Sequence, residues 1–232
     1  MLGYNDAAMG LSSVLRKTAD ADWRRMHAHP FVRGIGDGSL PRDRFAHYLR
    51  QDYLFLIEYS QVLALASAKA PDLNGMTKFG ELLHATLSVE MDLHRRTCAS
   101  FGISARSLER TPVAAATLAY GRYLVSVAYE GTVKEITAAI LPCQWGYNEI
   151  GLALAKNGDT SPRNPYSTWI ESYASADFTA LTAWLRRYLD TQARDAPATE
   201  RKRLAEIFST STQYELGFWD MAWKAKGEER SK

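Results

Sequence analysis

Helical periodicity dominates this chain and constrains its fold more than any other feature. Apolar side chains recur at three- and four-residue spacing along nearly the whole sequence, and no stretch alternates apolar and polar residues as a half-buried strand does. The predicted helices cover approximately 11–29, 42–70, 76–101, 112–129, 133–156, a short segment around Trp169, 178–193 and 198–225. No linker is long enough to divide the 232 residues, so we expect one all-α domain of seven to eight helices.

The charge balance and the cysteine count exclude several classes of protein. The 28 basic and 26 acidic residues leave a formal net charge of +2, which provides no basic surface for nucleic acid. No run approaches the roughly 18 apolar residues of a membrane span, and the N-terminus lacks a secretory-signal pattern. Two cysteines are too few for a disulfide scaffold. We therefore expect a cytoplasmic protein with reduced thiols that binds neither nucleic acid nor membrane.

Two carboxyl groups fall on helix faces that the apolar pattern predicts to be buried. Asp52 lies within an aromatic stripe, and Glu215 lies in the middle of a second apolar stripe. The first stripe consists of Phe45, Tyr48, Asp52, Phe55 and Tyr59, and the second of Leu204, Phe208, Ser211, Glu215, Phe218 and Ala222. Burying an isolated carboxylate is costly, so each acid either accepts hydrogen bonds between helices or lines a cavity.

A cysteine and several tyrosines share such faces as well. Cys143 and Tyr147 lie on one face of the helix at 133–156, and Tyr120 lies on the apolar face of the preceding helix. Pro142 should kink its helix and direct the Cys143 thiol into a cavity. Acids, a thiol and tyrosines on buried faces favour a pocket over ordinary packing, whereas Cys98 is expected to be inert packing.

Metal and phosphate chemistry find little support in the sequence. The chain contains no His-Glu-x-x-His motif, lacks the two Glu-x-x-His pairs typical of a di-iron bundle and has no glycine-rich phosphate loop before a helix. Glu90 and His94 share a helix face, and Glu149 would approach Glu90 if their helices packed together. This pattern is weak, and we predict neither a metal site nor a cofactor.

Four segments resemble the motifs of one known family. The segment LPCQWGYNEIG at 141–151 is similar to the active-site segment of the TenA family, the thiaminase II or aminopyrimidine aminohydrolase proteins. The others are HPFV at 29–32 with DGSLP at 37–41, YLRQDY at 48–53 and YELGFW at 214–219. The resemblance runs from about Trp23 to Trp223, in family order. It implies a TenA-like domain at 21–226, an N-terminal extension at 1–20 and a disordered tail at 227–232.

The resemblance implies a heme-oxygenase-like all-α fold, no cofactor and a homotetramer. It also implies hydrolytic removal of a substituent from the methylene carbon of a 4-amino-2-methylpyrimidine. The substrate would be thiamin or a breakdown product such as 5-aminomethyl-4-amino-2-methylpyrimidine. The product, hydroxymethylpyrimidine, would re-enter thiamin synthesis.

The resemblance assigns catalytic roles to the thiol and the two acids identified above. Cys143 corresponds to the nucleophile and Glu215 to the acid that binds the pyrimidine. Asp52 corresponds to the carboxylate that accepts from the amino group of the ring. The chemistry requires Glu215 to carry a proton, hence a raised pKa, whereas Asp52 is expected to stay ionised.

The resemblance also assigns aromatic residues to substrate binding. Tyr120 and Tyr147 correspond to tyrosines that flank the thiol, and Tyr173 to a ring that stacks on the pyrimidine. Phe55 departs from the family, since many members have Tyr at this position. Two alternatives stay open: a non-catalytic pyrimidine- or thiamin-binding protein, and an oxidase of the same fold similar to PqqC or to di-iron members.

Overall fold

The computed structural model describes residues 9–225, and every regular element in that range is a helix. In chain order the elements are α1 (Leu11–Thr18), α2 (Asp20–His27), α3 (Pro30–Gly36), α4 (Arg42–Lys69), α5 (Leu73–His84), a π-helix (Ala85–Glu90), α6 (Met91–Ser100), α7 (Ala105–Glu109), α8 (Ala115–Glu130), α9 (Val133–Asn157), α10 (Ser167–Tyr173), α11 (Ala176–Gln192) and α12 (Ala198–Lys224). The all-α prediction is confirmed for these residues.

Helix α9 forms the centre of the bundle. It packs against α8, α10, α11 and α12, and its middle section is buried on all sides, as expected for a helix with neighbours all round. Thr132 and Glu135 cap its N-terminus reciprocally. Helices α4 and α12 also contact α9 and each other. The apolar stripes predicted for α4 and α12 are buried along their whole length, which confirms that part of the sequence interpretation.

Some predicted helices are broken where the chain changes packing partners. The helix predicted at 11–29 is two helices that meet at Ala19, because α1 packs on α11 and α12 whereas α2 packs on α9 and α12. Pro30 then begins α3, and His29 Nδ1 accepts a hydrogen bond from the Phe31 N–H. Such breaks and additional short helices give twelve α-helices and one π-helix between residues 9 and 225, against the seven to eight predicted.

The start of α8 differs from the predicted N-cap at Thr111 because a buried side chain holds the preceding segment extended. Gln51 Nε2 donates to the Pro112 carbonyl at 3.0 Å, and Gln51 Oε1 accepts from the Ala114 N–H at 2.9 Å. The chain therefore stays non-helical through Ala114, and the helix begins at Ala115. The competing bonds come from α4, which is distant in sequence.

The third predicted helix, at 76–101, contains a π-helical segment between α5 and α6. Residues Ala85–Glu90 form this wider turn, and the extra residue that it accommodates rotates the side chains that follow. Glu90 is its last residue. π-Helical turns are frequent at functional sites, and this one borders the cavity described below.

The chain ends bear on two further predictions. None of the helices between residues 9 and 225 is long and apolar enough to cross a bilayer. Helix α1 lies within the extension predicted at 1–20, and its Ser12 N–H and hydroxyl both donate to the Asp190 carboxylate of α11. Residues 1–8 of that extension and the predicted tail at 227–232 lie outside the described residues.

Candidate active site

A narrow cavity of about 20 Å³ lies where α4, the π-helix, α9, α10 and α11 meet. Its lining comprises Asp52, Phe55, Leu56, Tyr59, Glu90, Cys143, Gln144, Tyr147, Tyr173 and Phe178. Five of the seven residues singled out from the sequence therefore line one cavity. The remaining two, Tyr120 and Glu215, adjoin it through contacts with that lining.

Glu215 joins the thiol to a tyrosine behind it. The Tyr120 hydroxyl donates to Glu215 Oε1 at 2.7 Å, and the Cys143 thiol is hydrogen-bonded to the same carboxyl group. Glu215 is 1% exposed. Burial raises the pKa of Glu215 to about 7, although both hydrogen bonds act in the opposite direction. The expected raised pKa is thus present, and the carboxyl group can hold or release a proton near neutrality.

The surroundings of Cys143 favour the protonated thiol. Burial raises the pKa of Cys143 well above its ordinary value, and the neighbouring Glu215, Glu90 and Asp52 carboxyl groups raise it further. A thiol becomes nucleophilic only as its proton leaves. Its hydrogen bond to Glu215 supplies a route for that proton. Cys98, in contrast, is fully buried and its pKa is raised to about 12, consistent with inert packing.

Asp52 differs from the sequence-based expectation. Its pKa is raised well above the ordinary value, first by burial and then by the charges of Glu90 and Glu215. These surroundings favour the protonated form of Asp52, opposite to the direction that the proposed role requires, and the ionised Asp52 stays a prediction. His94 Nδ1 lies 3.5 Å from Asp52 Oδ2; burial lowers the pKa of His94 to about 4, so this histidine is neutral. A cationic ligand would reverse the balance and ionise Asp52.

Aromatic rings form most of the remaining walls. Tyr147 packs edge-on against Tyr173 at 4.9 Å and stacks on Trp219 at 5.1 Å. Phe55 stacks on Tyr120 at 4.9 Å, behind the acid that contacts the thiol. These contacts fix the rings that the sequence assigned to the site, so the cavity is preformed on rigid helices.

Glu90 is a site residue that the sequence interpretation did not select. Its Oε1 accepts a hydrogen bond from the Tyr173 hydroxyl at 3.2 Å, and burial raises its pKa to about 7. Its only sequence signal was the face shared with His94, which we considered as a weak metal pattern. Glu90 is the last residue of the π-helix, and this position directs its side chain into the cavity. A pattern with the regular 3.6-residue period does not predict that orientation.

Glu149 does not join Glu90 in a metal centre. Its carboxylate accepts from Trp23 Nε1 at 2.8 Å. Between residues 9 and 225, no group of three or more histidine, cysteine, aspartate or glutamate side chains is arranged to hold a metal ion.

Pro142 lies inside α9, and the helix runs on through it from Val133 to Asn157. The kink expected at Pro142 stays a prediction.

Comparisons with known proteins point to the same family as the sequence motifs. The sequence profile of the TENA/THI-4/PQQC family matches residues 16–225. The chain belongs to this family. An aminopyrimidine aminohydrolase of Halalkalibacterium halodurans is 44% identical over 218 residues, which cover 94% of this chain and 97% of the relative. The resemblance inferred from the sequence motifs is confirmed.

Two solved structures relate the fold to known ones. A crystal structure described as a TenA family transcription regulator, from Silicibacter sp. TM1040, is 35% identical with a TM-score of 0.87 and covers 95% of this chain and 100% of its own. Heme oxygenase-1 from Synechocystis is 15% identical with a TM-score of 0.64, and 92% of each chain is covered. The second likeness shows the fold alone, and it confirms the predicted heme-oxygenase-like architecture.

Proposed function

We propose that this protein is a hydrolase of thiamin salvage that removes the substituent from the methylene carbon of a 4-amino-2-methylpyrimidine. One observation carries the proposal. The Cys143 thiol lines an aromatic cavity that also contains carboxyl groups, and it is hydrogen-bonded to Glu215, a buried acid with a pKa of about 7. The name of the Halalkalibacterium relative supports the same reaction class.

The first step adds Cys143 to the pyrimidine. Sulfur forms a bond to ring carbon C6, and Glu215 gives its proton to the adjacent ring nitrogen N1 while it takes the thiol proton. The carboxyl group thereby ends in the state in which it began. The hydrogen bonds that Glu215 makes with Tyr120 and Cys143 hold the carboxyl group beside the thiol for this exchange. A pKa of about 7 suits a group that must both give and accept a proton.

The second step breaks the bond to the leaving group. The 4-amino group of the ring supplies the electron pair that expels the substituent from the methylene carbon, and Asp52 accepts one of the amino protons. Water then adds to the exposed methylene carbon and protonates the ring imine, after which N1 returns its proton through Glu215 as sulfur departs. For an aminomethyl substrate, the protonated amine and water become the alcohol and an ammonium ion.

We further propose that the protein acts as a homotetramer in a reducing compartment such as the cytoplasm. Cys98 and Cys143 are free thiols, as that compartment requires. Exposed Ile57, Val113 and Leu118 border an apolar groove between α4 and α8, a surface suited to a second copy. Light scattering after size-exclusion chromatography would give four chain masses; a monomer would contradict the assembly.

Ammonia release from 5-aminomethyl-4-amino-2-methylpyrimidine, with thiamin hydrolysis in parallel, tests the function. We expect Cys143→Ala to abolish hydrolysis without unfolding the protein. Cys98→Ala is the matched control and should retain activity, because that thiol lies outside the cavity lining. Substantial activity in Cys143→Ala would refute covalent catalysis. Binding without turnover in the unmodified protein would favour the pyrimidine-binding alternative.

A further inference from the structure

Glu90 occupies a distinctive place among the cavities of the described chain. It lines the inner cavity with Cys143, and it also lines two outer cavities, of about 240 Å³ and 30 Å³. Among the residues of these three linings, Glu90 is the only one common to all. Its hydrogen bond to Tyr173 therefore lies at the boundary between the inner cavity and the space outside it.

The inner cavity has the electrostatics of a cation site. Its lining contains two carboxyl groups, those of Asp52 and Glu90, and the Glu215 carboxyl group adjoins it through the thiol. The lining includes no lysine or arginine. Each carboxyl group holds its proton more tightly because of burial. A positive ligand would allow at least one of them to ionise and would be held by it.

The order of atoms around the pyrimidine places the substituent on the Glu90 side. Within the proposed reaction, C6 must face Cys143, N1 must face Glu215 and the 4-amino group must face Asp52. Carbon C5, which carries the methylene, lies between C4 and C6 and opposite C2. The substituent therefore projects between Asp52 and Cys143, away from Glu215. Glu90 is the remaining carboxyl group of the lining.

We propose that Glu90 is the specificity-determining residue for an amine leaving group: its carboxylate binds the substrate's ammonium group. This inference rests on the proposed function. As the C–N bond breaks, nitrogen keeps the bonding electron pair and leaves as ammonia, which then takes up the proton held by Asp52. Glu90 itself undergoes no net change. From its position the ammonium product passes directly to the outer cavities.

Binding to a variant that cannot react provides the test. The probes are 5-aminomethyl-4-amino-2-methylpyrimidine, which is cationic, and hydroxymethylpyrimidine, which has the same ring with a neutral substituent. Isothermal titration calorimetry would compare Cys143→Ala with Cys143→Ala/Glu90→Gln. We expect the second change to weaken binding of the amine by about 10- to 100-fold, the range of a charge-assisted hydrogen bond. Binding of the alcohol should change less than about twofold.

Each outcome of this comparison has a defined meaning. Equal losses for both ligands, or no loss for the amine, would overturn the role of Glu90. A Cys143→Ala protein that binds neither ligand would instead contradict the proposed function. Binding of the alcohol also reports whether the double variant is folded. If the double variant is unfolded, the pH dependence of ligand binding to Cys143→Ala provides the test instead. Titration of Glu215, whose pKa is also about 7, affects the ring that both ligands share. Amine affinity should nevertheless fall by a larger factor than alcohol affinity as acid protonates Glu90, and parallel curves would overturn the inference.

Discussion

Replacing Glu215 with glutamine should stabilise the protein at pH 8 and leave its stability at pH 4.5 nearly unchanged. The side chain is 1% exposed, and burial raises its pKa from 4.5 to about 7. The folded state therefore binds the proton more tightly than the unfolded state. A raised pKa contributes stability that is fully present below pH 4.5 and is lost as the pH rises through 7.

The size of the effect follows from the two pKa values. The difference between 4.5 and about 7, at about 1.4 kcal/mol per unit, gives a contribution on the order of 3 kcal/mol. Glutamine has the same shape, can accept from Tyr120 and never ionises, so it avoids this loss. The variant should thus gain about 3 kcal/mol over the unmodified protein at pH 8, at the expense of activity.

Urea denaturation at pH 4.5, 6 and 8, followed by circular dichroism, measures this difference. Glu171→Gln, at an exposed position, controls for the loss of a carboxyl group as such. A gain that is equal at all three pH values would refute the linkage argument. Destabilisation by Glu215→Gln at pH 8 would show that the carboxylate is stabilised in the folded protein, contrary to its burial among acids.

Three further predictions concern local contacts. Phe55→Tyr adds the hydroxyl that the family resemblance predicts at this position and should raise kcat/KM by up to about tenfold, the worth of one hydrogen bond; an unchanged value would show that the hydroxyl has no partner here. Gln51→Leu removes the bonds that hold the segment before α8 and should lower the free energy of unfolding by about 2 kcal/mol, whereas a loss below 0.5 kcal/mol would contradict the buried-polar argument. Thr132→Ala breaks the capping box of α9 and should cost about 1 kcal/mol, measured by urea denaturation; Thr132→Ser, which retains the hydroxyl, should restore most of it.

Much of the site could be predicted because helical periodicity reports which side chains share a face. Asp52, Cys143 and Glu215 each interrupt an apolar stripe, and such an interruption is visible without knowledge of the neighbouring helices. The cavity and its contacts bring all three together. The motif at 141–151 identified the same family that the comparison shows.

Periodicity could not reveal features that depend on contacts between distant segments. Glu90 is directed into the cavity by a π-helix, whose extra residue departs from the 3.6-residue period. The delayed start of α8 results from Gln51, more than 60 positions earlier in the chain. The sequence connects His94 only with Glu90, on one helix face, yet packing places it beside Asp52 on α4.

The sequence by itself determined the helical class, the buried faces and the identities of the reactive groups, because these depend on the order of apolar and polar residues along one helix. Tertiary structure decided the ionisation of those groups. The sequence predicts an ionised Asp52, whereas packing places Glu90 and Glu215 near it in a cavity without a basic side chain in its lining, and these surroundings favour its protonated form. The free energy of a buried charge depends on the dielectric and on every neighbouring charge, and these two neighbours come from the π-helix and α12, which are distant from Asp52 in the sequence.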